Sequence, residues 1–298
     1  PYPYTRTDIE GVWVIDDSTA VATGWGSLVG PQPTIILVST DYGQTWAAPD
    51  PTYAYAAYTY GFGIVDFDDG EVLIMGGGAG SAAVGLYSTD YGATWSRHPA
   101  FWGEDIKDCG AFPGTDVVIA VGDEGLIARS GDRGESWEFL VRPGLGFGGI
   151  LTMNEWGYEA IAVGDNANGV VKNMDTGEGD IICISPENWG PDVEDIEIIR
   201  TFGDGEFYPT IYACGGNGYL CKAERDPGEF GWTQLSHTPS YFDAFYGQHW
   251  FDELNGVLVG EQESEDAIWT TSDGGVTLTR VHWNVSSTQL NAVSFAPD

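Results

Sequence analysis

The sequence predicts an all-β protein, a β-propeller of four-stranded antiparallel blades. An eight-residue motif returns along the 298-residue chain at intervals of roughly 40 to 50 residues, the length of one blade. Between its copies lie short β-branched runs bounded by Gly, Asp, Asn or Pro, as expected of strands. No stretch shows sustained helical spacing of apolar residues.

The repeated motif is STDYGQTW at 39 to 46 and STDYGATW at 88 to 95, with a looser copy, SGDRGESW, at 130 to 137. Decayed copies are NMDTGEGD at 173 to 180 and TSDGGVTL at 271 to 278. In such a turn Asp accepts hydrogen bonds from nearby amides and Gly supplies a positive φ. We therefore expect the motif to stiffen the hairpin between the third and fourth strands. The residues given this structural role are Asp41, Trp46, Asp90, Trp95, Asp132, Trp137, Asp175 and Asp273.

This octet resembles the Asp box, or BNR repeat, whose pattern is Ser/Thr-x-Asp-x-Gly-x-Thr/Ser-Trp. The first two copies match every fixed position, and the resemblance covers the chain from about residue 10 to residue 283. It implies a propeller like those of sialidases and photosystem assembly factors. In the resembled families this turn lies on the face opposite the ligand site, which implies that these Asp residues are structural.

The order of the runs predicts how the chain divides into blades. We expect a single domain over residues 1–298, because no Pro/Ser-rich linker or charge block interrupts it. The six predicted full blades span approximately 10–50, 62–99, 106–141, 147–185, 194–237 and 243–283, followed by a closing strand at 287–298. Seven blades with one incomplete is the alternative, since LNAVSFAP at 290 to 297 looks like the start of another blade.

The charge indicates an unusual environment. The formal net charge is -34, from 45 acidic and only 11 basic residues. Such a charge opposes compaction unless salt screens it, and the screening length falls to about 3 Å near 1 M salt. We interpret the composition as adaptation to high salt, in a halophilic organism or its virus, with an ordinary acidic secreted protein as the alternative. No basic stripe exists for nucleic acid or anionic membranes, and no apolar run is long enough for membrane insertion.

The cysteines raise one structural question. Cys214 and Cys221 flank the turn sequence GGNGYL, in which Asn217-Gly218 favours a two-residue hairpin turn. Counting outward from that turn places the two cysteines directly opposite, at a spacing that a disulfide can span. Cys109 and Cys183 fall on different blades, so we expect buried thiols there.

Aromatic residues dominate the predicted loops that connect one blade to the next. Rings beside carboxylates and amides suit sugars, whose C–H faces stack on the rings while their hydroxyls need polar partners. The same rings also suit a protein interface or simple packing onto the sheet edges. The candidate ligand-binding residues are Tyr55, Tyr58, Tyr60, Trp102, Trp189, Tyr241, Tyr246 and Trp283.

Metal sites and shared histidines are the weaker hypotheses. The acidic turns at 65–71 and 164–169 offer enough oxygen ligands for calcium, although neither fits an EF-hand loop. His98, His237 and His282 follow fourth strands of different blades. No spacing of Cys and His predicts zinc, and we expect no other cofactor.

Two classes of function compete at this level. Sialidase activity is disfavoured, because the Arg-Ile-Pro signature is missing near the first blade. A non-catalytic recognition or structural module fits best, displayed on a cell envelope or virion and contacting glycans or partner proteins, either alone or as a subunit of a larger assembly. It would lack the basic patch of the resembled photosystem factors. A glycoside hydrolase or polysaccharide lyase with paired carboxylates at the loop face is the alternative.

Overall fold

The structure is a computed structural model. It describes residues 7–26, 34–49, 60–67, 69–77, 84–98, 106–112, 114–139, 146–153, 159–164, 168–173, 179–183, 192–203, 206–226, 229–235, 243–262, 265–284 and 290–295. Within them, no helix is long and apolar enough to cross a membrane.

The described strands form six antiparallel sheets, which we call blades 1 to 6 in chain order. Blade 1 contains β1 (Thr7–Val14), β2 (Ala20–Gly26) and β3 (Thr34–Ser39), and blade 2 contains β4 (Tyr60–Asp66), β5 (Val72–Gly77), β6 (Val84–Ser88) and β7 (Ser96–His98). Blade 3 contains β8 (Ile106–Ala111), β9 (Val118–Gly122), β10 (Ile127–Ser130) and β11 (Glu138–Phe139). Blade 4 contains β12 (Phe147–Met153), β13 (Glu159–Gly164), β14 (Asn168–Asn173) and β15 (Gly179–Cys183). Blade 5 contains β16 (Val193–Gly203), β17 (Glu206–Gly215), β18 (Tyr219–Asp226) and β19 (Glu229–Gln234), and blade 6 contains β20 (Asp243–Trp250), β21 (Gly256–Gln262), β22 (Glu265–Thr271) and β23 (Thr279–Asn284).

The strand order confirms the predicted four-stranded meander but corrects the number of complete blades. Five of the described sheets have four strands paired in chain order, whereas blade 1 has three. After the turn at 39–46 only an isolated bridge between Val38 and Ala47 continues that sheet. Pro49 follows, and a proline has no N–H to extend a ladder. The prediction of six full blades is therefore wrong for the part of the chain that the structure describes.

The closing strand predicted at 287–298 is not found in its described portion. Residues 290–295 have no strand pairing. Asn291 and Ala292 lie instead beside β20, where the Asn291 carbonyl oxygen is 2.9 Å from the position that a Cβ on Gly247 would take. These two residues thus pack against the first strand of blade 6 and do not complete a ladder.

The apolar core lies between neighbouring blades. Val72 to Gly77 of β5 are all buried, because one face of this strand packs toward blade 1 and the other toward blade 3. Toward blade 1, Ile74 clusters with Val21; toward blade 3, Leu73 clusters with Val118. Burial on both faces explains why the second strand of each blade reads as a continuous apolar run rather than an alternating one.

The chain forms two compact units. The first contains residues 1–160, 172–178 and 294–298, and the second contains residues 161–171 and 179–293. In the second unit the blades pack in the same manner, with the rings of Tyr212 and Trp250 stacked at 3.6 Å between centroids. The single-domain interpretation stays a prediction.

The register of blade 5 overturns the proposed disulfide geometry. The turn between β17 and β18 has three residues, Gly216–Gly218, with Asn217 at φ 53°, not the two residues expected. Cys214 therefore faces Leu220, and Cys221 faces Ala213. Since side chains alternate across a strand, the two thiols point to opposite faces of the sheet. Both are free and buried, as is Cys109.

Candidate functional site

Each blade has two ends with different connections. We call the strands of a blade A to D in chain order. The turn end carries the A–B connection and the C–D turn that contains the repeated Asp, and the loop end carries the B–C and D–A connections. The candidate aromatic residues were predicted to lie in the D–A connections, but this is wrong for the three that the structure describes. Tyr60 and Tyr246 lie in first strands and Trp283 lies in a fourth strand, each in the half of its strand nearer the loop end.

The structure describes only part of the candidate aromatic set. The backbone of Tyr60 opens β4 and that of Trp283 lies in β23, and Tyr246 is described with its side chain. The other predicted ligand residues lie outside the described residues and stay predictions: Tyr55, Tyr58, Trp102, Trp189 and Tyr241.

Tyr246 lies among carboxylates at the loop end of blades 5 and 6. It occupies a bulge of β20, where the pairing with β21 shifts between Phe245 and Gly247. The ring is partly buried, and loss of hydration together with the negative charges of Glu261 and Glu194 raises the pKa of its hydroxyl. Glu194 is exposed. A phenol beside an exposed carboxylate can contact a ligand both by ring stacking and by hydrogen bonds.

The outer edge of blade 6 adds one cation at the same end. Arg280 donates from Nη1 to the Gln262 side-chain oxygen at 2.8 Å, and its Nη2 lies 3.4 Å from a Glu265 oxygen. Its guanidinium thus pairs with groups at the ends of β21 and β22. This arrangement leaves the loop end of blade 6 acidic, since Glu261 and Asp266 accompany the pair.

Two carboxylates on β16 hold the first strands of blades 5 and 6 together. Asp195 accepts the Ile196 N–H at 2.8 Å on one oxygen and the Gln248 N–H at 2.9 Å on the other. Glu197, two residues along, accepts the Trp250 N–H at 3.1 Å and lies 3.1 Å from His249 Nδ1. Loss of hydration and the charge of Glu197 raise the pKa of Asp195 to about 7. Loss of hydration also raises the pKa of Glu197, against the opposing effect of His249.

A carboxylate joins two neighbouring first strands in the same way between blades 3 and 4. Asp108 accepts the Cys109 N–H at 2.8 Å and, from the next blade, the Ile150 N–H at 2.9 Å. Both Asp108 and Asp195 directly follow a bulge in strand A. A carboxylate used twice in this way is a structural element of the fold, because each oxygen is occupied by a main-chain amide. The sequence contains the signal for this role, an acidic residue at the same place in two first strands, but the signal does not reveal the amide of the next blade that the residue binds.

Blade 2 has glycine where blades 3 and 5 have this aspartate. A Cβ placed on Gly63 would stand 2.0 Å from the backbone nitrogen of Cys109. No side chain fits that approach of one first strand to the next. In these three blades, the position after the bulge therefore carries either a glycine, which lets two first strands touch, or an aspartate, which joins them by hydrogen bonds.

Four C–D turns share one hydrogen-bonding pattern. At 39–46, Ser39 Oγ donates to Asp41 at 2.9 Å and accepts the Gly43 N–H at 2.9 Å, while Asp41 accepts both the N–H and the hydroxyl of Thr45. The indole of Trp46 donates to the Gly43 carbonyl at 3.0 Å. The Ser/Thr–Asp–Gly bonds recur around Asp90, Asp132 and Asp273, and the indole bond recurs at Trp95 and Trp137. Asp175 lies outside the described residues.

The residue after each of these Asp residues joins the turn to the A–B connection. Its φ is positive, and its N–H donates to a carbonyl of the A–B turn in the same blade. The pairs are Tyr42 with Ser18, Tyr91 with Gly70, Arg133 with Asp116, and Gly274 with Leu254, at 2.9 to 3.1 Å. The hydroxyl bonds hold the pKa of Asp41, Asp132 and Asp273 below its ordinary value.

Arg133 adds a charged contact between blades 2 and 3. Its guanidinium pairs with Asp69, Glu71 and Asp116 and lies 4.8 Å from the ring centroid of Phe67. Asp69 and Glu71 belong to the acidic turn at 65–71 that was considered for calcium. In this structure both pair with Arg133, whose single positive charge is shared among three carboxylates.

His98 is buried between blades rather than displayed at a rim. Its ring stacks on Tyr87 at 4.9 Å between centroids, and a Cβ on Gly134 would stand 3.1 Å from it. Burial lowers the pKa of this imidazole. His237 lies outside the described residues, and of His282 only the backbone is described. Within the described ranges, no three His, Cys, Asp or Glu side chains are grouped to hold a metal.

Comparisons with known proteins establish the fold. No protein-family model and no curated protein sequence matches the chain. Among solved structures it is similar to YCF48 bound to a D1 peptide, at 18% identity over 93% of this chain and 82% of that chain, with a TM-score of 0.61. It is also similar to the WD40 propeller domain of Doa1, at 13% identity over 98% and 88% of the two chains and a TM-score of 0.65. A GH74 enzyme of Niastella koreensis aligns with 94% of this chain and 46% of its own, at 12% identity and a TM-score of 0.64. The chain is thus similar in fold to β-propellers, and the predicted fold class is confirmed.

Proposed function

We propose that this chain is a non-catalytic propeller module that binds a protein or glycan partner through the loop ends of its blades. The observation that carries the proposal is the use of Asp195 and Glu197. Their oxygens accept main-chain N–H groups of β20 and face His249, so they serve to join blades. In contrast, Tyr246 offers a ring to a ligand, and the exposed Glu194 beside it offers a carboxylate.

Among the similar structures, YCF48 is a precedent for binding a protein segment, whereas the GH74 protein is an enzyme. YCF48 was solved with a D1 peptide, and the Doa1 propeller belongs to the WD40 class. For this chain we infer a protein partner first and a glycan second. The C–D turns, with their Ser/Thr–Asp–Gly bonds, are the Asp boxes of this propeller and act as its structural frame.

The charge supports a setting of high salt, and we place the module on a cell envelope or virion. A net charge of -34 favours contact with a cationic surface and repels nucleic acid. In molar salt the repulsion among the protein's own carboxylates is screened, while apolar and aromatic contacts persist.

The test compares binding by tyrosine variants at the two blade ends. Tyr246→Ala changes the loop end of blade 6, and Tyr42→Ala changes an exposed tyrosine at the turn end of blade 1. Wild type and both variants are applied to printed arrays of peptides and glycans in about 1 M NaCl, with melting curves as a folding control. We expect the wild-type signals to be lost in Tyr246→Ala and kept in Tyr42→Ala. Equal signals from all three proteins would refute the assignment of the site to the loop end.

A carboxylate enzyme is the second candidate, and one observation favours it. Asp195 and Glu197 are i and i+2 on one strand, about 6.6 Å apart along it, and a carboxyl with a pKa of about 7 suits a general acid. Release of reducing ends from a polysaccharide panel, abolished by Glu197→Gln, would support it.

A further inference from the structure

Three exposed apolar side chains lie on two adjoining turns at the turn end of blade 6. Phe251 is 51% exposed, Leu254 56% and Val276 54%. Phe251 and Leu254 lie on the A–B turn, and Val276 lies on the C–D turn. The two turns touch, because the Gly274 N–H donates to the Leu254 carbonyl at 2.9 Å. We call these three residues the blade 6 patch.

The backbone beneath the patch is fixed by hydrogen bonds. Asp252 accepts the N–H groups of Leu254 at 2.7 Å and Asn255 at 2.8 Å. The Tyr212 hydroxyl donates to the Glu253 carbonyl at 2.9 Å, and Asp273 accepts the Thr277 N–H at 2.8 Å. A partner would therefore meet a preorganised surface, which lowers the entropic cost of binding.

The turn geometry does not require an apolar residue at Leu254 or Val276. The position of Phe251, in contrast, is apolar in blades 1, 2 and 3 as well, where Ile15, Phe67 and Phe112 make the matching N–H bond. The Leu254 carbonyl accepts an N–H from the C–D turn of its blade. In blades 1, 2 and 3 the residues that accept the matching N–H are Ser18, Gly70 and Asp116. The place of Val276 in the octet is taken by Gln44, Ala93 and Glu135 in those blades. Blade 6 thus has an exposed apolar pair where the same turn in blades 1 and 3 is polar. Several exposed apolar groups close together, unlike a single one, are typical of a contact site.

The surrounding charge selects the kind of partner. Asp252, Glu253 and Asp273 lie on the same two turns, and residues 250–256 and 271–278 contain no Lys or Arg. A second copy of this chain would bring another such acidic surface against the first, and like charges oppose that contact. A segment with apolar side chains flanked by Lys or Arg would complement both the patch and its rim.

We propose that the blade 6 patch is a second docking site, which binds a protein segment with apolar side chains flanked by basic residues. The site is separate from the loop end, since the A–B and C–D turns lie at the other end of the blade. The module then has two binding ends and joins two partners within one assembly.

The test selects peptides from a displayed library of random twelve-residue sequences. Wild-type protein is immobilised in about 0.15 M NaCl, and the Leu254→Ser/Val276→Gln double variant is added in excess as a soluble competitor. Ser and Gln are the residues that blade 1 has at these positions, so the turn is expected to fold. The control is Val281→Ser, which changes an equally exposed valine on β23, 53% exposed.

We expect enriched peptides with Leu, Ile, Phe or Val next to Lys or Arg. Their affinity should fall about tenfold or more in the double variant, since two apolar side chains leave the contact, and should be unchanged in Val281→Ser. Failure to enrich any peptide, or equal binding by the double variant, would overturn the proposal. A wild-type dimer in sedimentation that the double variant abolishes would also overturn it, by making a second copy the occupant.

Discussion

The two tryptophans Trp95 and Trp46 separate the contribution of blade packing from that of the turn motif. Each donates its indole N–H to the glycine of its own turn, at 2.8 and 3.0 Å. Trp95 is 2% exposed and clusters with Val21 and Ile36 of the preceding blade. Trp46 is only partly buried. The local hydrogen bond is therefore the same, while the packing differs.

The expected cost follows from this difference. Truncating a buried tryptophan to alanine costs about 3 to 5 kcal/mol, so Trp95→Ala should lower the free energy of unfolding by that amount. Trp46→Ala loses a hydrogen bond worth about 1 kcal/mol and part of its apolar contact, so we expect a loss of about 1 to 2 kcal/mol.

Urea unfolding in about 1 M NaCl, followed by circular dichroism, measures both variants against wild type. The slopes of the transitions should be equal, so that midpoints can be compared. Equal losses for the two variants would show that the local bonds of the turn, and not the packing between blades, hold the blade in place. That result would refute the reasoning.

Three further predictions follow from the described contacts. Gly63→Ala should destabilise the fold by about 3 kcal/mol or more, because its Cβ would stand 2.0 Å from the Cys109 backbone nitrogen. The control, Gly131→Ala, should change the Tm little, since its Cβ would meet only the flexible Arg129 side chain, at 3.7 Å. Asp195 has a folded pKa of about 7, above its unfolded value near 3.8, so its stabilising contribution is complete below pH 3.8 and is lost as the pH rises through 7. In denaturant titrations, Asp195→Asn should accordingly gain stability relative to wild type as the pH is raised from 5 to 8. A stability difference that stays constant over this range would contradict the predicted sign. The Tm of the wild type should rise as NaCl is raised from about 0.1 to 2 M, because salt screens a charge of -34; a flat or falling Tm would remove the basis of the high-salt interpretation.

The strands of this protein could be predicted from local sequence, because each is a short apolar run bounded by turn residues. The four described C–D turns were predictable for the same reason, since their hydrogen bonds connect residues two to four positions apart. The turn at Gly216–Gly218 was not, because one extra turn residue shifts the register by one position and moves Cys221 to the other face.

The hydrogen bonds by which Asp108 and Asp195 join first strands cannot be predicted from local sequence. Each carboxylate bonds an amide more than 40 residues away, Ile150 or Gln248. Their role becomes visible only when two first strands approach each other. The binding role of Tyr246 stays a prediction. The carboxylates beside it, Glu194 and Glu261, come from other strands and could not be assigned to it from local sequence.

The central claim is that the paired carboxylates of β16 hold blades together and do not catalyse. Its most direct test incubates wild-type protein with a panel of polysaccharides in about 1 M NaCl at pH 5 to 8, measuring new reducing ends and the absorbance of unsaturated uronates. We predict no product from wild type, and lower stability but no other change in Glu197→Gln. A product formed by wild type and lost in stably folded Glu197→Gln would contradict it.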